Sequence, residues 1–151
     1  MEKQTFNILI DASPEQVWDV LFGKTTYPQW TSVFSEGSNV ETDWKEGSKA
    51  LFLDGNGQGM VSVIAKSIPN EFLSIRHMGI IKDGVEDYDS EEVKKWAGSL
   101  ENYTLKNLNG KTDLVIDMDI TEEFKDYFLD VWPKALEKVK TMAEKHNQPV
   151  I

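Results

Sequence analysis

The chain carries few residues able to do acid–base or metal chemistry. It has two histidines, His77 and His146, and no cysteine. Neither histidine has a second at metal-ligand spacing, and no His-Glu-x-x-His occurs. Without cysteine, disulfides, thiolate chemistry and Cys-based zinc sites are excluded. His77 stands between Arg76 and Met78 in a strand-like stretch and is the best candidate for a general acid or base. A lone strand histidine, however, is ordinarily a hydrogen-bonded structural residue. Asp113, Asp117 and Asp119 alternate with Leu114, Ile116, Met118 and Ile120, so the carboxylates share one face of a strand and the apolar residues the other. That reads as a solvated outer face, without the desolvation a paired-carboxylate catalyst requires. Asp54-Gly55-Asn56-Gly57-Gln58-Gly59 copies the opening of an EF-hand loop, but its twelfth position is Ala65, where a bidentate glutamate is needed. A strand follows these glycines, so they are no dinucleotide fingerprint either. No catalytic residue, metal or cofactor is assigned.

The elements around these residues read as follows. Phe6, Ile8 and Ile10 alternate as a first strand. Ser13-Pro14-Glu15-Gln16 has the form of a capping box with proline at the first helical position, and Val17, Trp18, Leu21 and Phe22 share one face of the helix that Gly23 ends. Tyr27-Pro28-Gln29-Trp30 makes one further turn of helix. From Ser38 to Ile120 the pattern is strand-like: 38–42, 48–54, 59–67, 72–81, 100–107 and 111–120, with turns at Gly55–Gln58, Ile68–Glu71 and Leu108–Gly110. Consecutive hairpins imply an antiparallel sheet. The acidic stretch 83–92 reads as a long mobile surface loop with a short helix over 91–97. The last element, 122–146, repeats Phe124, Phe128, Val131, Trp132, Ala135, Val139 and Met142 at helical spacing. Pro133 inside it should remove the hydrogen bond to the carbonyl of Leu129 and bend the helix.

At 151 residues the chain suits one domain, 1–151, able to bury its own core. No run approaches the ~18 apolar residues of a membrane span, and Met1 to Phe6 has no apolar stretch of signal-peptide character. The expectation is a cytoplasmic protein. A net charge of −10 opposes a nucleic-acid backbone or an anionic bilayer. The lysines between 134 and 145 alternate with Glu137 and Glu144 as a solvated helix face. Neither nucleic acid nor membrane is expected as a partner.

The order strand, two short helices, antiparallel strands, long amphipathic helix resembles the START-like (SRPBCC) superfamily. Within it, Ile10 to Trp18, Tyr27 to Trp30, Gly59 to Ile64, Ile68 to Leu73 and Trp132 to Leu136 look like bacterial single-domain relatives of the C-terminal domain of the Hsp90 ATPase activator. The resemblance implies an α+β helix-grip fold, a curved antiparallel sheet around the C-terminal helix, with an apolar cavity between them.

Five tryptophans and seven phenylalanines give that interior an aromatic character. The cavity walls are expected to draw on Trp18, Trp30, Phe52, Met60, His77, Tyr103, Met118, Phe128 and Trp132, with Arg76 and Asn102 supplying polar groups if they face inward. The leading reading is a binding module for a small hydrophobic ligand, as monomer or homodimer. A cyclase- or aromatase-like enzyme, with His77 or Tyr103 moving a proton, is the alternative. A chaperone-associated role, which the family name suggests, is the third reading.

Overall fold

The structure is a computed structural model and describes residues 1–145; His146 lies outside the described residues. Strand β1 (Glu2–Ile10) leads into α1 (Pro14–Phe22) and α2 (Tyr27–Thr31). Strands β2 (Asn39–Glu41), β3 (Lys49–Leu53), β4 (Gln58–Ile68), β5 (Phe72–Lys82) and β6 (Val85–Asp87) follow. A short helix α3 (Glu91–Lys94) precedes β7 (Leu100–Leu108) and β8 (Lys111–Ile120). One turn of 3-10 helix (Glu122–Phe124) then opens the long helix α4 (Lys125–Glu144). All pairings are antiparallel, in the order β1-β8-β7-β5-β4-β3-β2, with β6 attached to β5. This is the helix-grip architecture of the sequence resemblance.

Local chemistry accounts for the element ends. Ser13 Oγ accepts from Gln16 N at 3.2 Å while Gln16 Oε1 accepts from Ser13 N at 3.1 Å, so the capping box starts α1 as expected. Gly23 ends α1 without a left-handed conformation. A Cβ there would lie 2.4 Å from both the Asp19 carbonyl and Thr26 Oγ1, so close approach demands glycine. Two register shifts between β4 and β5, at Val61/Ser62 and Ile64/Lys66, are β-bulges that bend the strands and help curve the sheet.

The core lies between the concave face of the sheet and helices α1, α2 and α4. From α4 it takes Trp132, Ala135, Leu136, Val139 and Ala143. Phe124, expected on that stripe, is 42% exposed because it belongs to the 3-10 turn, outside the α-helical period. Pro133 lies on the exposed face and α4 runs through it unbroken. The hydrogen bond it deletes therefore faces solvent, and it does not open the helix toward the sheet.

The acidic stretch 83–92 is not an unpaired loop. Asp83 (φ 50°) and Gly84 (φ 81°) both take the left-handed conformation of a two-residue hairpin turn, which returns Val85–Asp87 onto β5 as β6. Glu86 reaches Lys49 of β3 at 2.7 Å. Ser90 Oγ caps α3 by accepting from Val93 N, and Val93 is fully buried.

Candidate functional site

The bulge at Val61/Ser62 decides which side chains meet inside. Ser62 pairs with His77 and Val61 with Gly79, so two residues of β4 span three of β5 and Met78 is the extra residue; Met60 pairs with Ile80 beyond it. After the bulge the alternation of β5 is inverted. Ile80 then joins His77 on the inner face, and both line a cavity of about 300 Å³. Met118 and Ile120 of β8 add a second wall, Phe124 and Phe128 the side toward α4, and Trp96, just after α3, the outer wall. The exposed residues Glu92 and Phe124 also belong to this lining, so it reaches the surface between α3 and the 3-10 turn.

A connected polar chain runs into this cavity. Ser62 Oγ lies 2.7 Å from His77 Nδ1, His77 Nε2 lies 3.2 Å from Glu101 Oε1, and Tyr103 donates its hydroxyl to Glu101 Oε2. A carboxylate only accepts, so the ring nitrogen facing Glu101 carries hydrogen. In the neutral ring Nδ1 is then the acceptor for the Ser62 hydroxyl. Burial, reinforced by the charge of Glu101, pushes the Tyr103 phenol well above its ordinary range, so it stays a donor.

Serine, histidine and acid in a row invite comparison with nucleophilic triads. Ser62 is wholly buried, however, and is absent from the cavity wall, whereas His77 and Glu101 line it. Ser62 therefore positions His77, and the groups that meet a guest molecule are the imidazole and the carboxylate. Together they can hydrogen-bond a polar end or move a proton.

The nine residues expected to wall a cavity fall into four groups. Met60, His77, Met118 and Phe128 line the 300 Å³ space. Trp30, Tyr103 and Trp132 are core residues, each at most 2% exposed. Trp30 donates Nε1–H to the Leu21 carbonyl at 3.0 Å, and Trp132 packs against Phe6, Trp30, Phe34 and Tyr103. Phe52 touches the His77 ring at 6.0 Å between centroids but does not reach the cavity. Trp18 lines a separate surface depression of about 450 Å³ with Phe22, Trp44, Asp19 and Asp43. Arg76 is exposed, and Asn102, paired with Ser74 and Asp117, lies on the face opposite Tyr103. Neither supplies the polar end.

Sequence reasoning passed over Ser62, Ile80, Trp96 and Glu101. Glu101 was within reach: it alternates with Tyr103 and Leu105, a charged residue on the apolar face of a strand. Ile80 was not, because strict alternation puts it outside. Asp113, Asp117 and Asp119 take the outer register as expected; Asp117 accepts from Thr5 Oγ1 at 2.7 Å, and Asp119 from Leu100 N at 3.0 Å. Among the described residues no group of three or more His, Asp or Glu could hold a metal, and no helix is long and apolar enough to cross a membrane.

The profile of the family described as Activator of Hsp90 ATPase homolog 1-like protein matches residues 11–144. No curated protein matches the sequence. Among solved structures, the Aha1 dimer from Colwellia psychrerythraea is similar, with TM-score 0.72 and 20% identity over 95% of this chain and 97% of that one. DynU16, a protein of the dynemicin biosynthetic locus, gives 0.71 and 13% over 97% of this chain, which spans only 48% of DynU16. CalU16 from Micromonospora echinospora gives 0.65 and 15% over 96% and 78%. At these identities the likeness is one of fold.

Proposed function

This chain belongs to the Activator of Hsp90 ATPase homolog 1-like family, and from that premise we propose that it holds a small hydrophobic molecule between the sheet and α4. The observation that carries this reading is the cavity of about 300 Å³, walled by Met60, Ile80, Trp96, Met118, Ile120 and Phe128, with the His77–Glu101 pair set into it. Apolar walls with a few convergent polar groups are the usual form of a small-molecule site. Methionine side chains let such walls adapt to a guest.

The test uses a neutral naphthalene dye, N-phenyl-1-naphthylamine. It should bind the native protein, brighten, and quench tryptophan emission through Trp96, a quench that Trp96→Phe largely removes. Met118→Trp points a large ring into the space and should abolish binding while the circular dichroism spectrum is kept. A dye that does not bind, or that binds Met118→Trp as well as the native chain, overturns the reading.

A second reading is supported by the chain Ser62–His77–Glu101. An imidazole held at both nitrogens and fronting an apolar cavity is equipped to move a proton on a bound substrate, as a cyclase-like enzyme requires. DynU16, from a biosynthetic locus, is a structural relative compatible with this. The discriminating variant is His77→Ala: an enzyme loses turnover of its substrate yet keeps dye binding, and a binding module has no turnover to lose.

A further inference from the structure

Resting on the binding reading above, we infer that this cavity selects hydrophobic amines and rejects carboxylic acids of the same shape. The ionisable residues in its wall are Glu92, Glu101, Asp119 and His77, of which Asp119 takes the outer register and accepts from Leu100 N; no lysine or arginine lines it. An anionic guest would therefore meet the carboxylates of Glu92 and Glu101 with one imidazole as the sole cationic prospect. Its Nε2 is turned to Glu101 and its Nδ1 to Ser62, so an anionic guest competes with the Glu101 carboxylate for the ring N–H.

A donor is received differently. Each carboxylate oxygen can accept more than one hydrogen bond, so Glu101 retains acceptor capacity after bonding His77 and Tyr103. Trp96, Phe124 and Phe128 present aromatic rings, which attract cations through their faces. Apolar walls lower the local dielectric and strengthen these charge effects, and the chain's net charge of −10 draws cations toward it.

Three compounds of one shape test this: 1-naphthylmethylamine, 1-naphthylmethanol and 1-naphthoate, each competing with N-phenyl-1-naphthylamine at neutral pH in dilute buffer. The amine should displace the dye at least about tenfold more tightly than the acid, with the alcohol between them. Glu101→Gln should shrink the amine-to-acid ratio. Because Glu101 sits in a buried network, Glu92→Gln, at an exposed position, is the companion that does not endanger the fold, and it should shrink the ratio less. Acid binding equal to or tighter than amine binding overturns the inference and leaves the cavity reading standing. A ratio unchanged in both variants overturns it as well. If none of the three displaces the dye, and the dye ignores Met118→Trp, the cavity reading fails and takes this inference with it.

Discussion

Around Trp132 the concave face of the sheet is solid; around Met118 it is hollow. Both regions lie under the same helix and are built from large apolar residues. In the solid half, rings interlock from Phe6 through Trp132, Tyr103 and Phe22 to Trp44, with centroids 4.7–6.2 Å apart. In the hollow half, Met60, Ile80, Met118 and Phe128 face about 300 Å³ of space. Rings that arrive from α1, α2, β1 and α4 fill the first region between them. The second is walled by β4, β5, β7, β8, the stretch after α3 and the start of α4, and it holds open space between them. An abundance of aromatic residues therefore marks the core here, and the site is marked by where the rings stop.

The contrast can be broken most directly at Trp132. Trp132→Ala should cost ~3–5 kcal/mol, as a buried aromatic in a filled region does. Urea denaturation measures it, and a loss below about 1 kcal/mol would mean that the solid half is not solid. Val93→Ala should follow at ~2 kcal/mol, because this fully buried side chain anchors α3. It should also weaken dye binding, since Trp96, the cavity's outer wall, follows α3 by two residues. Unchanged stability would show the acidic stretch to be detached after all.

Phe128→Ala sharpens the comparison further. Phe128 stands one helical turn before Trp132, but it is half-buried and already borders empty space. Its loss should cost only ~1 kcal/mol while weakening dye binding. Equal costs at 128 and 132 would erase the distinction between the two halves.

The smallest effect at neutral pH is expected of Tyr103→Phe, which removes the bond to Glu101. The phenols of Tyr103 and Tyr27 are held above their ordinary value of 10.0, mainly by burial and then by the charge of Glu101. Their contribution is intact below about pH 10 and is lost as pH rises past it, because the unfolded chain ionises first. Denaturation midpoints at pH 7 and pH 11 should therefore fall more steeply for the native chain than for Tyr103→Phe. Parallel falls would show that Tyr103 ionises as readily folded as unfolded.

Much of this was legible in the residues. The capping box at Ser13, the Asn109-Gly110 hairpin with both residues left-handed, and the alternation of β8 are local signals whose physics acts within a few residues. Four of the nine expected wall residues do line the cavity. The others are aromatic residues whose size and apolarity look the same whether they face a void or another ring. The Asp83-Gly84 turn was also a local signal, obscured by the acidic composition around it.

Strand alternation, the hairpin turns and the period of α4 determined an antiparallel sheet and an amphipathic C-terminal helix, each with one face to bury, and the family resemblance implied that the sheet grips the helix. Which inward residues touch and which leave space was decided only in the folded chain. It depends on one extra residue at Met78, which turns Ile80 inward, and on α3 folding back to bring Trp96 across the opening. It depends as well on His77 meeting Ser62 from β4 and Glu101 from β7. Those are contacts between distant strands, set by register and curvature, and a linear pattern carries no record of them.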